Sequence, residues 1–157
     1  MKKSLTIFLQ IVVVLITLGA LVFMLWEPHL EGRNVNATFF QTYFRDPFLA
    51  YAYASSILFF IGSYKLFKLL GYIRENRALS VNSLKALRTM KYCATTLVVL
   101  IALPVAYLFI ARPGDDIAGG VATGLFLVIV FGTVATLSKV YEGRLKKVIG
   151  TVSSQVN

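Results

Sequence analysis

GYIRENRALSVNSLKALRTMK, residues 71–91, is the longest polar interruption between the hydrophobic blocks of this chain, and it carries five Lys or Arg against a single acid, Glu75. Two apolar segments precede it and two follow. A basic stretch in that position divides the chain into two membrane hairpins, and its charge identifies the side of the bilayer on which it lies.

Composition agrees with this division. Across 157 residues the hydrophobic fraction is 57%, the charged fraction 15% and the mean hydropathy +0.74, outside the range of a soluble globular domain. The formal charge of +9 would raise nucleic-acid binding in a soluble protein. Here the cations cluster at the ends of apolar runs, where they orient helices and attract anionic headgroups, so no direct nucleic-acid contact is expected. A single cysteine, Cys93, excludes an intrachain disulfide, and the lone His29 has no second His or Cys with which to share a metal. No cofactor is expected.

The first span is expected over residues 5–26, which follow Lys2 and Lys3 and end at Trp26, an interfacial anchor. This run is about twice the length of a signal-peptide core and lacks a small-residue cleavage site, so it reads as a retained helix. Residues 27–46 form an outer loop. In it Phe39, Phe40, Tyr43 and Phe44 fall at helical spacing, either as an interfacial girdle or as a lid. Asn36-Ala37-Thr38 matches a glycosylation sequon, relevant only in a host that glycosylates. Asp46-Pro47 reads as a helix start for a second span over 48–70, with Lys65 and Lys68 snorkelling from its last turns. The third span is expected over 92–110, kinked near Leu100 by Pro104, and the fourth over 117–137, capped by Asp115 or Asp116. The tail continues as helix and frays after Gly150. The expected fold is thus an all-α, four-helix integral membrane bundle.

Of the 16 Lys and Arg, 13 lie in the N-terminus, the 65–91 region and the C-terminal tail, so both termini and the middle loop are expected in the cytoplasm. None of the spans carries an ionisable residue near its centre, which disfavours an ion-coupled transporter or proton pump. No nucleophile elbow, phosphate loop or metalloprotease motif occurs, and an enzyme is not expected.

Three groups of residues remain as candidate sites. Gly120, Gly124 and Gly132 form a small-residue stripe for close helix packing, within the bundle or between copies in a homo-oligomer. Asp115 and Asp116 make a weak candidate for a cation at the outer mouth. In the basic stretch, Ser80 is a plausible N-cap, after which Leu84, Ala86, Leu87 and Met90 share one arc and Asn82, Lys85, Arg88 and Thr89 the other. The set Leu84, Lys85, Leu87, Arg88 and Met90 is a candidate partner contact, the alternative being a connector bound to headgroups.

The segments EPHLEGRN, FRDPFLAYAY, KALRTMKYC and DDIAGGVATGLF, with their spacing across four spans, resemble small bacterial membrane proteins of domain-of-unknown-function family 2975. That resemblance implies a four-helix inner-membrane protein, often encoded beside a small Cro/CI-like helix-turn-helix regulator, and brings no catalytic residues with it. The expected role is a membrane sensor or regulatory partner of such a regulator. The alternatives are an oligomeric small-solute pathway or transport accessory subunit, and a purely structural membrane protein.

Overall fold

In the computed structural model the chain forms α1 (Lys3–Leu30), α2 (Pro47–Arg74), α3 (Val81–Ala111) and α4 (Ala118–Val156). The structure describes residues 3–30, 47–111 and 118–156, with side chains over 3–26, 50–110 and 118–152. The outer aromatic segment, the sequon, His29, Asp46 and the Asp115-Asp116 pair lie outside the described residues or side chains. All four helices are long and apolar enough to cross a membrane, and no strand occurs among the described residues.

Extended packing joins neighbours in chain order, α1 on α2, α2 on α3 and α3 on α4. Gln10 meets the end of α2, Gly62 faces Cys93, and Gly124 faces Val105, so each pair is antiparallel. Every described Lys and Arg therefore lies at one end of the protein, together with the start of α1, the α2–α3 turn and the last turns of α4.

The helix expected from Ser80 is present and runs on into the third span, but the loop is shorter than 71–91. Residues 71–74 complete α2 and 81–91 are the first three turns of α3, leaving only a short turn between. Asn76 adopts φ 58°, and Arg77 N–H donates to the Tyr72 carbonyl at 2.8 Å while Asn76 N–H donates to that of Ile73 at 3.2 Å. These bonds satisfy the orphan carbonyls of a helix end, with Asn tolerating the left-handed residue. Ser80 then caps α3 as its position predicts, its Oγ accepting from Ser83 N–H at 3.2 Å, and Ser83 Oγ donates back to the Arg77 carbonyl at 3.1 Å. Polarity here marks where the helices leave the bilayer; the helices themselves end closer together.

The tail also differs. α4 runs to Val156 without ending at Gly150, giving 39 residues, or about 58 Å at about 1.5 Å per residue. A hydrocarbon core of about 30 Å accommodates the apolar run to about residue 137. The sequence SKVYEGRLKK, residues 138–147, then extends beyond it.

Two prolines are accommodated by one device. Pro104 inside α3 has no N–H for the carbonyl of Leu100, four residues earlier, and α3 nonetheless continues to Ala111. Tyr51 Oη of α2 donates to that carbonyl at 2.7 Å. Pro28, in the last turn of α1, likewise leaves the carbonyl of Met24 without its helical donor, and Tyr53 Oη donates there. Residues two apart on a helix point about 200° apart at 3.6 residues per turn. Tyr51 therefore serves α3 while Tyr53 serves α1. In lipid, where water cannot satisfy a freed carbonyl, these bonds tie α2 to both neighbours.

Burial is concentrated at the charged end. Leu70, Ala86, Leu87, Met90, Cys93, Ala94, Leu97 and Leu145 are buried, whereas α1 exposes Ile11, Leu15, Val22 and Phe23 among others. Lipid solvates such faces as well as a neighbouring helix does, so apolar area drives association only where water reaches.

Candidate functional site

The residues with the most organised chemistry are at the charged end of α3 and α4. Glu142 projects from α4 one turn after Ser138 and one turn before Leu145, and all three are buried. Its side chain is 5% exposed and receives three cations. Lys91 Nζ lies 2.7 Å from Oε2, Arg88 Nε 3.2 Å from Oε1, and Lys146 Nζ 3.2 Å from Oε1. Arg88 and Lys91 come from one face of α3 at i, i+3 spacing, and Lys146 follows Glu142 by i+4 on α4. A buried carboxylate without these partners would be costly, and with them it couples the two helices beyond the apolar run. The Lys91 ammonium first, opposed by burial and aided by Lys146 and Arg88, holds the Glu142 carboxyl well below the usual carboxylate range. One carboxylate against three cations leaves the cluster net positive.

The expected partner-contact residues do not act as one surface. Leu87 and Met90 are buried in the protein's own core, Leu84 is half-buried, Arg88 is committed in part to Glu142, and Lys85 is exposed. The amphipathic arc read from residues 81–91 is real, but its apolar side faces the bundle. Further cations stand on the outer face of α4, where Lys139, Arg144 and Lys147 surround Val140 and Gly143. None of these three makes an ion pair among the described residues. Lys146, a neighbour in sequence, points instead to Glu142.

The glycine stripe divides as well. A Cβ on Gly124 would overlap Val105 of α3, so the absence of a side chain permits this helix approach. A Cβ on Gly120 would sit 3.9 Å from Leu108, ordinary contact, and one on Gly132 would meet nothing within 4 Å. Packing therefore rests on Gly124, with Gly120 beside it and Gly132 outside the seam.

At the α1–α2 side the polar contacts are hydrogen bonds, with no ion pair among the described residues. Gln10 Nε2 donates to the Phe67 carbonyl at 3.2 Å, and Arg74 Nη1 approaches Gln10 Oε1 at 3.5 Å. Thr6, one turn earlier, is fully buried with no partner for its hydroxyl among the described residues. Among the span hydroxyls, Thr17, Ser55, Ser56, Thr133 and Thr136 return to their own helix backbones. Among the described residues no group of three or more His, Cys, Asp or Glu converges as a metal site.

Sequence reasoning did not single out Glu142 or the paired tyrosines. Two signals were present. Glu142 is one of only two acids at the basic end and precedes Lys146 by four residues, and Tyr51 and Tyr53 stand on the span between the helices that hold Pro28 and Pro104.

The chain is 32% identical over 151 residues to the uncharacterized membrane protein YoaS of Bacillus subtilis (strain 168), an alignment covering 95% of this chain and 94% of that protein. No solved structure matches it. The model of the family described as protein of unknown function (DUF2975) matches residues 36–141, which include α2, α3 and α4 as far as Tyr141. With four spanning-length helices and that coverage, this multi-pass membrane protein belongs to the DUF2975 family.

Proposed function

We propose that this protein is a non-enzymatic membrane partner of a cytoplasmic DNA-binding regulator, which it holds through the extensions of α3 and α4. The carrying observation is the pair of helices continuing past the apolar run, braced on Glu142, with Lys85, Lys139, Arg144 and Lys147 making no ion pair among the described residues. A rigid cationic projection suits an acidic protein surface, because uncompensated charge steers association and orients the docked partner. The helix-turn-helix regulator implied by the family resemblance is the partner of choice. The contact set accordingly moves from Leu87 and Met90 to Leu84 and Lys85 of α3 and the outer face of α4. In this reading the charged end is cytoplasmic and the membrane is the bacterial inner membrane, as the positive-inside rule expects.

An oligomeric small-solute pathway has less support, since Val105 of the same chain occupies the Gly124 face. The test is binding of the purified neighbouring regulator to the full chain in nanodiscs of zwitterionic lipid. Saturable binding is expected, reduced by about tenfold or more in Lys139→Glu/Arg144→Glu/Lys147→Glu. Absence of binding, or binding indifferent to that charge reversal, refutes the proposed contact.

A further inference from the structure

The cations gathered on Glu142 outnumber the carboxylates that could balance them. Arg88, Lys91 and Lys146 share that single acid, and Glu75, the other acid with a described side chain, is paired with Arg77 at 3.9 Å in the α2–α3 turn. Two positive charges therefore remain in the cluster. Their placement is fixed by the carboxylate itself. Arg88 Nε and Lys146 Nζ each lie 3.2 Å from the same oxygen, Oε1, so the two nitrogens are no further apart than twice that distance. Both side chains are about half exposed, at 49% and 52%, above a glutamate that is almost wholly buried. One cation from α3 and one from α4 are thus held side by side across the seam, and the Nη donors of Arg88 have no partner among the described residues. Two oxygens of one phosphate can bridge such a pair at ordinary hydrogen-bond lengths, and a guanidinium presents its free donors in the geometry that phosphate accepts.

The depth of the cluster points to the source of that phosphate. Glu142 follows Leu137, where the apolar run of α4 ends, by five residues, about 7.5 Å at about 1.5 Å per residue. The headgroup layer on each side of a bilayer is about 5–8 Å deep. On α3, Lys91 directly precedes the apolar run, its ammonium 4.7 Å from the centroid of the Tyr92 ring. Tyr92 and Tyr141 are both more than half exposed here, as aromatic residues at a membrane interface commonly are. We propose that Arg88 and Lys146 hold the phosphate of one anionic phospholipid headgroup across the α3–α4 seam, where Glu142 aligns them. Neither residue belongs to the outer face of α4 assigned to the protein partner, so either assignment can fail alone.

The experiment is native mass spectrometry of the full chain, delipidated in mild detergent and then given equal amounts of phosphatidylglycerol and phosphatidylethanolamine. One phosphatidylglycerol per chain should be retained, favoured by roughly tenfold or more, an effect within the reach of two cations beside an anionic headgroup. Arg88→Gln/Lys146→Gln should bring that preference close to unity while leaving the 2.7 Å pair of Lys91 with Glu142 to join the helices. Lys139→Gln/Lys147→Gln, an equal loss of charge from the outer face of α4, should leave the preference intact. Glycerol 3-phosphate, which offers a soluble phosphate without acyl chains, should not displace the lipid at tenfold excess. A readout in the wild type is independent of how the variants fold: residues 138–150 should exchange hydrogen more slowly in nanodiscs containing phosphatidylglycerol than in phosphatidylethanolamine alone. Equal retention of the two lipids, a preference that survives Arg88→Gln/Lys146→Gln or falls equally in Lys139→Gln/Lys147→Gln, displacement by glycerol 3-phosphate, or exchange indifferent to lipid charge would each overturn the proposal.

Discussion

The α3–α4 pair and the α1–α2 pair achieve helix association by different means. α3 and α4 approach closely at Gly124 and Val105 and are coupled again, beyond the apolar run, by Arg88 and Lys91 of α3 on the buried Glu142 of α4. α1 is attached to α2 by a few polar bonds, Gln10 to Phe67 and Tyr53 to Met24, and presents most of its apolar surface outward. In lipid an exposed leucine carries no penalty, so the two pairs differ in specific contacts more than in hydrophobicity. α3 and α4 form the braced part of the molecule, and α1 is the part with fewest ties.

The strongest challenge to this contrast is removal of Glu142. Glu142→Gln leaves Arg88, Lys91 and Lys146 close together without their carboxylate and should cost about 3 kcal/mol, the low end for breaking a buried ion pair because two of the cations can rehydrate. Reversible unfolding in mixed detergent measures it, and a loss below about 1 kcal/mol, the range of exposed pairs, would show that the cluster is ordinary surface pairing.

Next in size is Gly124→Ala, expected to cost about 1–3 kcal/mol by overpacking against Val105. Val105→Ala in the same chain should recover most of that loss, a coupling that two independent sites would not show. The tyrosine bonds rank third. Tyr53→Phe and Tyr51→Phe should each cost about 0.6–1.7 kcal/mol, the span for interhelical hydrogen bonds in a membrane. Tyr53→Phe should loosen α1 selectively, seen as faster proteolysis or exchange of α1 with α3 and α4 unchanged. The smallest effect belongs to Gly132→Ala, which meets open space and should stay within about 0.5 kcal/mol, or gain slightly from helix propensity.

Much of the architecture was legible in residue order. Four apolar runs, the basic interruption at 71–91 and the Ser80 cap all follow from local chemistry, because the bilayer imposes length and polarity on each span separately. Helix ends were less legible. Residues 81–91 and 138–156 are polar, and polarity announces departure from the lipid without ending the helix. The site was hardest to read, since Glu142 meets Arg88 and Lys91, more than 50 residues earlier, only where α4 lies antiparallel to α3. The prolines pointed to kinks; the tyrosines that satisfy the freed carbonyls stand 49 residues before Leu100 and 29 after Met24, beyond the reach of any local pattern.

The brace is tested most directly by hydrogen exchange on the full chain in nanodiscs, comparing wild type with Glu142→Gln over residues 138–150 of α4. If Glu142 clamps the two extensions, those amides are protected in the wild type and exchange markedly faster in the variant, while the spanning parts of α1 and α2 keep their rates. Equal exchange of residues 138–150 in the two proteins would contradict the account.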